Sequence, residues 1–235
     1  MVIKKRVLAA ALVSLLSTHG AFAALALDAT RYIYKGDKQT LSAVVENQTK
    51  SDFGAQVWLD NIVEKDTRPT FIATPSFFKV KGDGKQVFRI MKVSDHMPND
   101  KESIYWLNLQ EIPPKSKSSG LVMAIRTKVK MIYRPAAIVD GRQDAEQNLT
   151  ISYLPGAQWL VNSTPYIFAI DSVTDEQDKK IKFTKEDGKK LAMFMPGDRV
   201  NVTGYTVKSV SAINDLGVIK THILKQYSDK HKTKK

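Results

Sequence analysis

The stretch LVMAIRTKVKMIY, from Leu121 to Tyr133, decides the fold of this chain. Its apolar side chains recur at alternate positions, which is the period of a β-strand, and only Thr127 interrupts the series Leu121, Met123, Ile125, Val129, Met131 and Tyr133. The other face is also apolar at first, at Val122 and Ala124. Thirteen residues at about 3.3 Å each span roughly 40 Å, well beyond an ordinary strand. The pattern predicts one long strand, either central in a sandwich or with one end projecting beyond its own sheet.

The rest of the chain also reads as short strands separated by turns. Apolar alternation occurs at 53–59, 86–93 and 104–109, and residues that favour turns fill the intervals, as in an all-β sandwich. Pro135 ends ladder pairing after Tyr133, so we place a domain boundary beyond it, with domains at 24–138 and 139–235. In the second domain the pattern predicts strands at 149–154, 158–161, 166–173, 181–184, 190–195 and 199–207.

The first 23 residues have the pattern of a secretory signal peptide. Lys4, Lys5 and Arg6 precede an apolar run that is too short to span a bilayer, and small residues follow it up to Ala23. Cleavage would leave 212 residues, enough for two domains of about 100 residues each. Cysteine is absent, which excludes disulfides and thiol chemistry. We therefore expect an exported protein with no membrane insertion.

The chain is basic, with a net charge of +12 that falls to +9 when the leader, with three cations and no anions, is removed. The tail from Lys225 to Lys235 has five lysines and one acidic residue, Asp229. This tail lacks the interleaved aromatic residues of a nucleic-acid stacking platform, so we expect a solvated end and no nucleic-acid partner.

No motif for catalysis or cofactor binding is present: the sequence has no HExxH, GxSxG or Walker loop. A glycosidase-type pair of carboxylates at Glu102 and Glu111 remains an alternative, because the sequence does not give the distance between the two groups. Arg31 and Lys130 stand out because each is a cation among strand apolars. Such a charge either meets an anion or extends its head to solvent, and the pattern alone leaves both readings open.

Several motifs, in order along the chain, resemble one known family. They are Thr30–Gly36 (TRYIYKG), Ile72–Pro75 (IATP), Glu102–Asn108 (ESIYWLN) followed by Glu111–Pro114 (EIPP), Thr127–Pro135 (TKVKMIYRP) and Asn162–Tyr166 (NSTPY). Together they are similar to the PapD-like periplasmic chaperones of the chaperone–usher pilus pathway, with Ser76 and Ser163 where that family has proline. The short loop from Lys115 to Gly120 and the absence of cysteine resemble the short-loop subfamily.

The resemblance implies an all-β fold of two immunoglobulin-like sandwich domains in an L with an interdomain cleft. It implies a periplasmic chaperone that binds unassembled pilus subunits, lends them a strand and delivers them to an outer-membrane usher, with no cofactor, ATP or metal. Arg31 and Lys130 would hold the C-terminal carboxylate of the subunit, and Leu121, Met123 and Ile125 would be the donor residues. Glu102, Arg134 and Asp215 match an interdomain charge network. The exposed donor strand would also be available for self-association with a second copy of the chain.

Two alternatives and one geometric question remain at this point. The chain could itself be a pilus or surface subunit, although residues 24–30 are few for a donor extension, or a secreted carbohydrate-active enzyme with an immunoglobulin-like domain. Lys130 has an even number and lies on one face of the predicted strand, whereas the donor residues have odd numbers and lie on the opposite face. Bringing both to one ligand calls for twist, a bulge or an approach along the strand edge.

Overall fold

The computed structural model describes residues 23–62, 68–115 and 122–232, with side chains up to Asp229. The predicted leader before Ala23, residues 116–120 of the short loop, and Leu121 lie outside the described residues.

The first domain is a sandwich of two sheets. Its strands are β1 (Leu25–Leu27), β2 (Arg31–Lys35), β3 (Thr40–Asn47), β4 (Phe53–Asn61), β5 (Phe71–Thr74), β6 (Phe77–Val80), β7 (Lys85–Lys92), β8 (Ser103–Ile112) and β9 (Arg126–Arg134). One sheet has the order β1-β3-β7-β5 and the other β2-β9-β8-β4-β6. Their inner faces enclose one core, in which the rings of Tyr34, Phe71, Tyr105 and Tyr133 contact one another.

The chain changes sheets between β1 and β2. Ala24 is buried and its carbonyl accepts a hydrogen bond from the Gln48 N–H, at 2.9 Å, where β1 begins. After β1, the Asp28 carboxylate accepts hydrogen bonds from the Tyr32 hydroxyl (2.5 Å) and the Val44 N–H (3.0 Å), which bridges the two sheets. As a result the pairing of β2 with β9 begins only at Arg31 and Lys130, and the two strands run parallel from there.

This late start leaves part of β9 uncovered. Strand β8 pairs with β9 from Arg126 onward on one side, while β2 covers the other side only from Lys130. Among the described residues, no strand pairs with 126–129 on the β2 side. The backbone of β9 therefore has an open edge at 126–129, beside the end of β2 that carries Arg31.

The second domain is a separate sandwich with its own core. Short 3-10 turns at Ala136–Ile138, Asp140–Arg142 and Ala145–Asn148 lead into it. Its strands are β10 (Thr150–Leu154), β11 (Ala157–Val161), β12 (Ala169–Asp175), β13 (Arg199–Asn201), β14 (Val207–Ile213) and β15 (Ile219–Ile223), in sheets β10-β11-β13 and β12-β14-β15. Helices α1 (Lys185–Leu191) and α2 (Lys225–Lys232) complete it. In the described part of the chain, neither helix nor any other is long and apolar enough to cross a bilayer.

The predicted strand at 199–207 is wrong in its middle, because β13 ends at Asn201 and β14 begins only at Val207. The predicted strands at 181–184 and 190–195 are also wrong. Helix α1 follows the first and overlaps the start of the second. Thr184 is its N-cap residue, and the Thr184 side chain accepts a hydrogen bond from the Asp187 N–H at 3.1 Å. Glu186 and Asp187 lie in its first turn and two lysines in its last, which suits the helix dipole. Seven residues are too few to show a helical period, and the segment therefore looked like a polar connection.

The prediction of one strand from Leu121 to Tyr133 is also wrong, because β9 begins only at Arg126 and Val122 to Ile125 lie in no strand. The last ladder contact is the hydrogen bond from the Glu111 N–H to the Ile125 carbonyl, at 2.9 Å. Strand β8 then ends at Ile112, and Pro113 and Pro114 have no N–H to offer. Among the described residues, therefore, no strand pairs with the segment before Arg126.

The faces of β9 resolve the question about Lys130. Met131 and Tyr133, at odd positions, are buried in the first-domain core, whereas Ile132 contacts Ile167 of the second domain. The even face, with Lys130, therefore faces the second domain. The pairings of β9 with β2 and β8 run without a register shift, so no bulge is needed to turn Lys130 toward the second domain.

Candidate binding cleft

Arg31 and Lys130 lie side by side between the two domains. They are directly paired in the parallel ladder of β2 and β9, and both are half-buried. Lys130 Nζ donates to the Ala192 carbonyl at 2.7 Å, and Arg31 Nη1 donates to the Ile213 carbonyl at 3.1 Å. Both acceptors belong to the second domain. The structure thus brings together the two cations that the sequence singled out, in a cleft between the sandwiches.

Both cations are short of compensating negative charge. Burial lowers the pKa of Lys130, and the neighbouring Arg31 lowers it further. Burial also lowers the pKa of Arg31, and Asp215 offsets this only in part. Arg31 Nε is buried and has no hydrogen-bond partner among the described residues. Two adjacent cations whose hydrogen bonds go to neutral carbonyls form a site suited to an anion.

A small pocket opens between these cations. Apart from Arg31 and Lys130, its lining is apolar and comes from Ile104, Ile132, Ile167, Phe168 and Ala169. Ile104, Ile132 and Ile167 are buried against one another across the domain junction. The apolar lining lowers the local polarity, which strengthens any ion pair formed there.

Glu102, Arg134 and Asp215 form one buried ion network across the domains. Arg134 donates through Nε to Glu102 at 2.5 Å, and through Nη1 and Nη2 to the two Asp215 oxygens at 2.8 and 3.1 Å. The second Glu102 oxygen accepts the Ile167 N–H at 2.7 Å. Burial raises the pKa of Glu102 even though Arg134 opposes the shift. Burial alone would also raise the pKa of Asp215, but the hydrogen bonds and charge of Arg134 outweigh it, so that pKa is lowered.

Sequence reasoning missed Arg142, which extends this network. Its Nε lies 3.8 Å from Asp215, and its two terminal nitrogens donate to the buried Glu146 at 3.0 and 2.8 Å. The spacing of Arg142 and Glu146, four residues apart, is the one signal that could have pointed to the pair.

Of the proposed donor residues that the structure describes, Met123 is exposed and Ile125 is partly buried. Val122 and Met123 keep 50% and 67% of their surface accessible. Ile125 is held at both backbone groups: its N–H reaches Glu111 Oε2 at 3.4 Å, and its carbonyl accepts from the Glu111 N–H and from Gln110 Nε2. Leu121 lies outside the described residues. The segment is therefore attached at Ile125 and uncovered before it.

Glu111 is a second residue whose role the sequence did not reveal. It is buried, and Oε1 accepts the Leu25 N–H at 2.8 Å, so one carboxylate joins β1 to the start of β9. Glu102 lies nine residues away at the other end of β8, a distance of about 30 Å along a strand. Glycosidase carboxylates lie about 5 to 10 Å apart, so these two cannot form such a pair.

Comparisons with known proteins agree with this architecture. Residues 24–139 match the family model for the pili and flagellar-assembly chaperone, PapD N-terminal domain. The chain is 53% identical over 209 residues to the chaperone protein FaeE of Escherichia coli, covering 88% of this chain and 81% of that protein.

Two solved structures have the same fold. The crystal structure of the periplasmic chaperone SfaE is 26% identical, with a TM-score of 0.64, over 85% of this chain and 97% of that one. A chain of the Salmonella enterica SafA pilin complex with the SafB chaperone is 22% identical, with a TM-score of 0.68, over 87% and 98%. With two β-sandwich domains, a cationic cleft between them and a relative this similar along most of its length, the chain belongs to the family of PapD-like pilus-assembly chaperones.

Proposed function

We propose that this protein is a periplasmic chaperone that binds and stabilises unassembled pilus (fimbrial) subunits by donor-strand complementation and delivers them to an outer-membrane usher. Its family membership, the chaperone FaeE at 53% identity and the SafB chaperone solved with a pilin support this function. The export leader supports the periplasmic location.

The observation that carries the proposal is the open edge of β9 at 126–129. A strand added there, parallel to β9, would be collinear with β2 and would end beside Arg31 and Lys130. Its terminal carboxylate would replace the Ala192 and Ile213 carbonyls as the acceptor of these cations. Charge-assisted hydrogen bonds are stronger than those to neutral carbonyls, and two converging donors would set the register of the added strand.

The same added strand gives the donor segment a role. A subunit that lacks its final strand has an apolar groove, and Leu121, Met123 and Ile125 would fill it as β9 extends beyond Arg126. Burying three such side chains would contribute about 5–9 kcal/mol before the cost of ordering the segment. Met123 is exposed in the absence of a partner, as this role requires.

The remaining assignments follow from the same function. Glu102, Arg134 and Asp215 would set the angle between domains at 24–138 and 139–235. The protein would act by binding, without catalysis, cofactor, nucleic acid or membrane insertion. The exposed donor segment would also be available to a second copy of the chain when no subunit is present.

The test is subunit recovery from the periplasm. The wild-type chaperone and the variants Arg31→Ala and Lys130→Ala are each co-expressed with one pilus subunit, purified through a tag on the chaperone, and the bound subunit is identified by mass spectrometry and quantified. Each variant should lose about tenfold or more of the bound subunit, since a buried charge-assisted contact is removed.

A matched control removes a cation elsewhere. Lys79 is exposed and pairs with Asp52, away from the cleft, so Lys79→Ala should recover as much subunit as the wild type. Recovery that stays undiminished in both cleft variants, with the proteins folded by circular dichroism, would contradict the carboxylate anchor.

A further inference from the structure

Of the methionines that the structure describes, Met123 is the most exposed. It keeps 67% of its surface accessible, whereas Met91, on the first-domain strand β7, keeps 39%. The others are buried or partly buried: Met97, Met131, Met193 and Met195. Methionine oxidation follows the exposure of the thioether sulfur, so an oxidant in solution reaches Met123 first.

The backbone around Met123 gives its side chain little cover. In the part of the chain that the structure describes, no strand pairs with the residues before Arg126, and the nearest attachment is at Ile125, whose N–H reaches Glu111. Val122 beside it is half exposed as well. A leucine at position 123 would also fill an apolar groove, but it has no sulfur to oxidise. Met123 is thus both a reactive side chain and a residue of the proposed donor segment.

A peroxide converts such a thioether to a sulfoxide in one step. The sulfur attacks one oxygen of hydrogen peroxide with a lone pair, so that an S–O bond forms while the O–O bond breaks. The departing hydroxide takes the proton from the transferred oxygen and leaves as water. The sulfur loses two electrons and the peroxide gains them. The product is polar, and methionine sulfoxide reductases return it to the thioether.

We propose that Met123 is a reversible oxidation site, at which a peroxide switches off subunit binding. This inference rests on the proposed function, in which Met123 enters the apolar groove of the subunit. A sulfoxide oxygen is a strong hydrogen-bond acceptor, and an apolar groove offers it no donor, so the oxidised side chain resists burial. Once the groove encloses Met123, the same burial shields the sulfur. Peroxide therefore disables the free chaperone and spares the chaperone that already holds a subunit.

The first experiment measures oxidation residue by residue. The full chain is expressed with its leader and purified from the periplasm, alone and together with the pilus subunit that co-purifies with it, and both samples receive graded doses of hydrogen peroxide. Peptide mass spectrometry gives the oxidation rate of each methionine. In the free protein, Met123 should oxidise about twofold faster than Met91 or more, and the buried Met97 and Met131 should oxidise last. In the complex, the rate at Met123 should fall about tenfold while the rate at Met91 stays the same.

The second experiment measures binding after oxidation. The chaperone is treated with peroxide, the peroxide is removed, and the same subunit is diluted from urea into the chaperone so that size-exclusion chromatography can quantify the complex. Wild type oxidised at Met123 should capture about tenfold less subunit, and the two methionine sulfoxide reductases, one for each sulfoxide epimer, should restore the capture. The control Met91→Leu should lose and regain capture as the wild type does. Met123→Leu should capture the same amount of subunit before and after peroxide.

The outcomes separate the switch from the proposed function. Undiminished capture by wild type that is fully oxidised at Met123 overturns the switch and leaves the proposed function standing. A loss of capture that persists in Met123→Leu also overturns the switch, because another methionine then carries the effect. If Met123 oxidises as fast in the complex as in the free chain, it does not enter the groove, and the switch fails. If the reduced wild type captures no subunit, the proposed function fails and the switch falls with it.

Discussion

Glu102 and Asp215 are bound to the same guanidinium, yet their pKa values move in opposite directions. Glu102 is almost fully enclosed, so burial dominates and raises its pKa despite Arg134. Asp215 is partly open to solvent and accepts two hydrogen bonds from Arg134, so its pKa is lowered. The network therefore keeps a charged carboxylate on the second domain over a wide range of pH.

This difference predicts a pH dependence for Asp215. A carboxyl whose pKa is lowered on folding contributes stability above its unfolded pKa, near 4, and loses it as the pH falls toward the folded pKa. Asp215→Asn should therefore reduce the free energy of unfolding at pH 6, and the gap to the wild type should narrow by pH 3. Urea unfolding at both pH values measures it. Asp37→Asn, at an exposed pair with Lys38, is the control, and a gap that widens toward pH 3 would contradict the prediction.

At the level of single residues, the sequence motifs picked out the groups that the structure brings together. Arg31 and Lys130 meet, and so do Glu102, Arg134 and Asp215. The place of Arg142 in the network was missed because Asp215 is distant in sequence, and Glu111 was missed because its partners are backbone N–H groups, which carry no side-chain signal. Their functional roles remain predictions.

Strand β9 shows what alternation can and cannot predict. The pattern identified which side chains face the core, since Met131 and Tyr133 are buried as expected. It overestimated the length, because strand length depends on neighbours that alternation does not report. The start at Arg126 follows from where β8 ends and from the Glu111 contacts to Ile125.

Glu111 should determine how firmly β1 and the start of β9 are held. Glu111→Gln keeps one acceptor oxygen but replaces the other with a donor, so it can no longer accept both the Leu25 and the Ile125 N–H. We expect at least one of these two amides to exchange about tenfold faster, as read by hydrogen exchange with NMR detection. Glu46→Gln, on the exposed side of β3, is the matched control. Unchanged exchange at both amides would show that the carboxylate holds neither strand.

On the scale of the whole molecule, each sandwich has its own core, and a small junction joins them. The sequence could predict two domains from the chain length and from Pro135. It could not predict how they face each other, because the junction depends on Ile104, Ile132 and Ile167, which lie far apart along the chain.

A charge placed in this junction should uncouple the domains while both remain folded. Ile167 is 4% exposed, so Ile167→Asp would bury a carboxylate beside Glu102 and weaken the junction by about 3 kcal/mol or more. We expect a larger radius of gyration by small-angle scattering, with unchanged β content by circular dichroism. Leu216→Asp, at a side chain that is 86% exposed, should leave the scattering as it is. A radius of gyration equal to the wild type would show that the junction does not depend on Ile167.

The sheet change near Asp28 has a practical consequence for anyone who works with this protein. Ala24 is buried and its carbonyl accepts a hydrogen bond from the Gln48 N–H, so the chain at Ala24 closes one edge of the first sandwich. A purification tag or dye coupled at Ala24 would clash with these contacts and disturb the edge where β2 meets β9. Labels for fluorescence or immobilisation are better attached after helix α2, where Asp229 is exposed.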